Sequence, residues 1–104
     1  MLTYATGFQD AASRADHFAN HGSDFGATSE VEYEAMAVAF LNSPVGGTIL
    51  QGIRSNGDVV RFNTATEAFA VMRRDGVIRT YFKPDPYWHG FSDSLAYFRR
   101  ECAK

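Results

Sequence analysis

Apolar and polar positions change their period near the middle of the chain. From about Phe8 to Asn20 the apolar residues Phe8, Ala11, Ala12, Ala15, Phe18 and Ala19 recur at helical spacing, which predicts a helix with Gly22 just past its end. His17 and His21 share a face of that helix only if it extends to His21. The preceding Met1 to Gly7 shows no period and reads as a short extended lead or the remnant of a linker. Ser23 to Ala27 reads as a loop anchored by Phe25. A second helix starts at Thr28 or Ser29: Ser29 followed by Glu32 has the capping-box spacing, and Glu30 and Glu34 place negative charge near the positive end of the dipole. Its body, Val31 to Leu41, is rich in alanine and apolar almost all round, so burial against a sheet is expected until Asn42-Ser43-Pro44 ends it.

After Val45-Gly46-Gly47 the period becomes two. Thr48 to Arg54 and Asp58 to Asn63 are strands joined by Ser55-Asn56-Gly57, where Asn-Gly accepts positive φ. Asn63 to Thr66 turns into a third strand, Glu67 to Arg73, and Arg74-Asp75-Gly76 turns into a fourth, Val77 to Lys83. Pro84-Asp85-Pro86 stops the ladder, Tyr87 to Phe91 forms an aromatic loop, and Ser92 caps a last helix from about Asp93 to Glu101. Tight consecutive connections mean an antiparallel meander. The expected fold is α+β: two N-terminal helices packed on a twisted four-stranded antiparallel sheet, with a short C-terminal helix.

At 104 residues the chain, 1–104, is expected to be a single domain. No apolar run approaches the roughly 20 residues needed to span a bilayer, so no membrane segment is expected and the chain reads as soluble. The lone Cys102 excludes an internal disulfide, and His17, His21 and His89 are not joined by cysteines or carboxylates at metal spacing, so neither metal nor other cofactor is expected.

The net charge of −2 argues at first against a nucleic-acid partner, but its distribution softens that objection. Residues 1–49 hold one cation, Arg14, against six acids, a balance of −5. Residues 50–83 hold six cations, Arg54, Arg61, Arg73, Arg74, Arg79 and Lys83, against three acids, a balance of +3. The strand half is therefore the half that can face an anion.

Alternation along the fourth strand puts Ile78, Thr80 and Phe82 on one face and Arg79, Tyr81 and Lys83 on the other. With helices over the apolar face, the open face gathers Arg61, Arg79, Tyr81 and Lys83, with Thr80 near the edge. Such a group has what phosphodiester chemistry needs: cations to hold the phosphate and neutralise its developing charge. A histidine supplies the proton transfer, since imidazole exchanges protons near neutral pH. His17 or His21 fills that role if the first helix ends over the sheet; otherwise both simply suit a helix C-terminus. His89 beside Trp88 reads as a packed or solvent residue, Asp75-Gly76 as turn chemistry, and Tyr87, Trp88 and Phe91 as a lid under the last helix or a surface for a stacked base.

Four motifs in order carry a family resemblance: His-Phe-x-x-His-Gly-x-x-Phe-Gly (His17 to Gly26), Glu-Tyr-x-x-x-Ala (Glu32 to Ala37), Asn-Gly-Asp-x-Val-Arg (Asn56 to Arg61) and Asp-Gly-x-Ile-Arg-Thr-Tyr-Phe-Lys-Pro (Asp75 to Pro84). Over about Asp16 to Phe98 the chain resembles the C-terminal RNase toxin domains of contact-dependent growth inhibition proteins, in the superfamily that joins barnase, EndoU, colicin-type RNases and RelE. The acidic net charge departs from many of them. The resemblance implies a metal-independent endoribonuclease, a tRNase cutting by 2′-hydroxyl transesterification, with RNA as substrate and no DNA. It also implies a cognate immunity protein, and delivery as a secreted toxin domain into the cytoplasm of a competing bacterium. By position it carries the family's helix histidines to His17 and His21, its strand arginine to Arg61 and its last-strand Arg-Thr pair to Arg79 and Thr80; combined with the strand faces, the expected site has His21 or else His17 as base, Arg79 and Thr80 also catalytic, and Arg61, Tyr81 and Lys83 substrate-binding.

The rival is a non-catalytic binding or structural module, phage or secretion associated, that docks through the basic strand face. A nucleotide-binding or ADP-ribosyl transfer domain is disfavoured, because the chain shows neither a glycine-rich phosphate loop nor a catalytic glutamate motif.

Overall fold

In the computed structural model, which describes residues 4–85 and 90–104, the period change near Gly47 marks the boundary between helices and sheet. The aromatic stretch Tyr87-Trp88-His89, and with it His89, lies outside the described residues.

Helix α1, Ala11–His21, begins where the Asp10 carboxylate accepts from the Ser13 N–H at 2.7 Å, and it reaches His21. A 3-10 turn, Gly22–Phe25, follows and is closed by Gly26 at φ +68°. Helix α2, Glu30–Asn42, is capped by Ser29, whose hydroxyl accepts from the Glu32 N–H, while the Glu32 carboxylate accepts from the N–H and hydroxyl of Thr28. Although α2 is apolar nearly all round, only the stripe Tyr33, Ala37 and Leu41 is buried, and Val31 is exposed. The outward alanines serve helix propensity rather than packing.

The strands are β1 (Gly7–Phe8), β2 (Ile49–Ile53), β3 (Val59–Asn63), β4 (Phe69–Met72) and β5 (Val77–Phe82), in the order β1-β5-β4-β3-β2. From β2 to β5 the sheet is the expected antiparallel meander. The expectation of four strands falls one short, because β1 adds a parallel edge, with Gly7 opposite Val77 and Phe8 opposite Ile78. Two residues are too few to show a period, and Phe8 belongs to this strand rather than to the first helix. The edge is held from outside the sheet: the Phe8 N–H donates to Glu34 of α2, and the Asn42 side chain pairs with both N–H and C=O of Ala5.

The sheet is also covered on both faces. Helices α1 and α2 pack on Ala70, Met72, Ile78 and Tyr81, while α3, Ser94–Cys102, places Tyr97 and Phe98 over Val60, Phe62, Phe69 and Val71. The uninterrupted burial of Phe69 to Met72 is the mark of a strand enclosed on both sides. The fold is thus α+β as expected, with helices on two faces rather than one. Among the described residues no helix is long and apolar enough to cross a membrane.

A bulge in β5 rearranges the faces. Val71 pairs with Thr80 but Met72 with Ile78, so Arg79 is the extra residue and Ile78 and Tyr81 both enter the α1/α2 core. Simple alternation, which put Tyr81 beside Arg79 and Lys83 on an open face, fails at that one residue.

Candidate functional site

Strand β1 pairs with β5 only at Val77 and Ile78, so farther along β5 the end of α1 and the 3-10 turn come against the strand instead. The His21 ring lies 5.2 Å from that of Phe82, and Phe25 stacks on Tyr81 at 3.9 Å. Beneath them opens a cleft of about 590 Å³, lined by His21 at the end of α1, Asp24 of the 3-10 turn, Thr80 and Phe82 of β5, Lys83 just beyond that strand, and Asp85 and Tyr97. The Lys83 ammonium sits 5.6 Å from the centre of the Phe25 ring, which props it at the cleft. Burial and the neighbouring Glu101 push the Tyr97 phenol up to about 12, so its hydroxyl keeps its proton at neutral pH.

Of the residues expected to form a site, His21, Thr80 and Lys83 are brought together; the others stand elsewhere. His17 is half-buried, stacked 5.1 Å from Phe8 and 6.0 Å from His21, and its Nδ1 is buried without a hydrogen-bond partner. Tyr81 is a core residue, 4% exposed, whose backbone carbonyl accepts from the Tyr33 hydroxyl. Burial pushes its phenol up to about 12. Arg79 forms an ion pair with Asp58 at 2.8 Å and does not line the cleft. Arg61 lies on the α2 side of the sheet, buried, with its guanidinium donating to Phe40 O, Ser43 O and Gln51 Oε1. The expected cluster of Arg61, Arg79, Tyr81 and Lys83 therefore does not form, because the bulge and the cover of α2 separate its members.

Asp24, Asp85 and Tyr97 were not among the expected residues. Asp24 follows His21 by one turn and was legible as a neighbour once the chain is helical there. Tyr97 carries no such signal, since its place depends on α3 covering the second face.

The half-buried His17 ring, whose Nδ1 has no hydrogen-bond partner among the described residues, gives a pH dependence. Desolvation, and then the charge of His21, lower its pKa, with Asp16 acting weakly the other way. As pH falls through about 6.5 the unfolded chain takes up a proton that the folded ring resists, so stability is lost on the acid side and recovered above it. Thermal melts at about pH 7.5 and about pH 5.5 should show a smaller acid drop for His17→Phe, which keeps the stack on Phe8, than for the natural chain.

No family model and no curated protein matches the chain.

Proposed function

We propose that this protein is a metal-independent endoribonuclease that cuts RNA, tRNA above all, by 2′-hydroxyl transesterification at the His21 cleft. The observation that carries the reading is that His21, from the end of α1, meets Thr80 and Lys83, about 60 residues further along, in one cleft floored by aromatic rings. In the reaction His21 takes the proton of the 2′-hydroxyl, the freed oxygen attacks phosphorus, and the 5′-oxygen leaves with a proton from an acid. The products are a 2′,3′-cyclic phosphate and a 5′-hydroxyl. The Lys83 ammonium neutralises the charge that grows on the phosphoryl oxygens, and the Thr80 hydroxyl donates to one of them. Asp24 and Asp85 on the same walls repel a phosphate, which confines it to the Lys83 side. Arg100, one turn beyond Tyr97 on α3 and stacked 5.5 Å from the Phe91 ring, extends the cationic track for the RNA backbone.

In this reading Lys83 meets the phosphate directly, so Lys83→Ala should weaken RNA binding and reduce the salt slope of binding by about one. Arg79→Ala should change the cleavage rate far less than His21→Ala, since its guanidinium serves Asp58. The rival, a docking module using a basic strand face, has less support. Arg54, Arg73 and Arg79 are each paired to a carboxylate and Arg61 is buried.

The resemblance to delivered toxin domains extends the proposal to growth inhibition of a competing bacterium, neutralised by an immunity protein in the producer. Induced expression in bacteria tests it: growth arrest with fragmented tRNA is the expected result, and unaffected growth with intact RNA refutes it.

A further inference from the structure

Arg61 is 5% exposed, yet it is absent from every ion pair among the described residues. Its Nη1 donates to Phe40 O at 3.0 Å, to Ser43 O and to Ser43 Oγ at 3.4 Å, and its Nε and Nη2 donate to Gln51 Oε1 at 3.2 and 2.6 Å. These acceptors are neutral, and they use four of the five guanidinium hydrogens. Phe40 and Ser43 are at the C-terminal end of α2, so its dipole offsets part of the buried charge; no carboxylate completes the compensation.

Beside this guanidinium runs a groove of about 470 Å³, which shares no residue with the His21 cleft. Three of the four large apolar residues that the described chain leaves exposed, Tyr4, Val45 and Ile53, line it together with Leu41 and Met72. Arg74 contributes a second cation, and no acid lines the groove although the chain as a whole is acidic. The volume lies in the range of small-molecule sites, and the combination of mostly apolar walls with a few converging polar groups is what such sites require.

From this we infer that the groove binds a small carboxylate with an apolar body, of the medium-chain fatty acid or arylalkanoate class. The carboxylate completes the charge of Arg61 and meets Arg74, and the hydrocarbon covers Ile53, Val45 and Tyr4. A phosphate or sulfate ester fits less well, because apolar walls would strip water from oxygens that the remaining guanidinium hydrogen cannot all satisfy. The inference is independent of the ribonuclease reading.

Calorimetric titration of the whole protein with octanoate, against octanol and octylammonium as probes of equal length, tests it. Octanoate should bind at one site per chain about tenfold or more tighter than either control, the difference being a charge-assisted hydrogen bond. Ile53→Asp, at an exposed position where folding is not at risk, should weaken octanoate binding about tenfold or more through repulsion and lost apolar contact. Equal affinity for the three probes, undiminished binding to Ile53→Asp, or no octanoate binding at about the millimolar level would each overturn the inference.

Discussion

If the His21 cleft cuts RNA as proposed, replacing His21 by alanine is expected to lower the rate of cleavage by about a hundredfold to ten-thousandfold, the range that a positioned proton-transfer group contributes. The size follows from the cleft's composition. Among the described residues His21 is the one histidine that lines it; the neighbouring His17 is stacked against Phe8 with its Nδ1 buried, and the other titratable groups on its walls are two carboxylates, Asp24 and Asp85, the Lys83 ammonium and the Tyr97 phenol. The loss should fall on kcat rather than KM, because in the proposed reaction imidazole works on the 2′-hydroxyl in the transition state while Lys83 would continue to hold the phosphate. Folding is not expected to suffer: His21 is the last residue of α1 and only partly buried, and the helix end is held by Gly22, whose N–H donates to Phe18 O and which packs where a Cβ would strike the Phe18 ring. Equal cleavage by His21→Ala and the natural chain would remove His21 from the mechanism.

The largest expected effect on stability is at Arg54. It leaves the end of β2 and ties together two elements, with Nη1 3.3 Å from Asp58, Nη2 3.0 Å from Glu101 of α3 and Nε donating to the Glu101 backbone carbonyl at 2.7 Å. All three side chains are nearly enclosed, at 12%, 5% and 11% exposure, so water cannot take the place of a lost partner. Arg54→Ala should therefore cost about 3–5 kcal/mol, the penalty for leaving buried carboxylates short of their cation. Lys104 and Arg79 remain to Glu101 and Asp58, but both approach from the surface and offset little. In a domain of this size each kcal/mol moves the melting temperature by about 4–8 °C, so calorimetry reads the change easily. Arg79→Ala, which removes one half-exposed partner of Asp58, should cost about 1 kcal/mol or less. Similar losses for the two variants would contradict the role given to Arg54. Because Arg54 fastens α3 to the sheet, its loss should also loosen the Tyr97 wall of the cleft.

Local chemistry was legible in the chain; features set by distant packing were not. Ser29 and Glu32 announce α2, Asn56-Gly57 and Asp75-Gly76 announce the hairpins, and both glycines do adopt positive φ, +93° in each case. His21, Thr80 and Lys83 stood out as polar groups at the end of a helix and along a strand. Strand β1 did not, since its pairing depends on Glu34 and Asn42 of α2 rather than on any pattern of its own. Nor did the bulge at Arg79: the alternating run Val77 to Lys83 reads as unbroken, and only the register with β4 reveals the slip that sends Tyr81 inward. Arg61 shows the same limit in another form. A cation on a strand reads as surface charge, whereas here it reaches under the end of α2 and binds its carbonyls. Two expected phosphate ligands were thus diverted into structural duties, and Asp85 and Tyr97 came into the cleft through contacts that only the folded chain makes.

The proposed reaction has the His21 cleft cut RNA without a metal. Its most direct test is purified protein incubated with tRNA in EDTA, the natural chain beside His21→Ala, with the fragment ends identified. Fragments ending in 2′,3′-cyclic phosphate are expected from the natural chain and almost none from the folded variant. Intact tRNA with the natural chain, or the same fragments from both proteins, would contradict it.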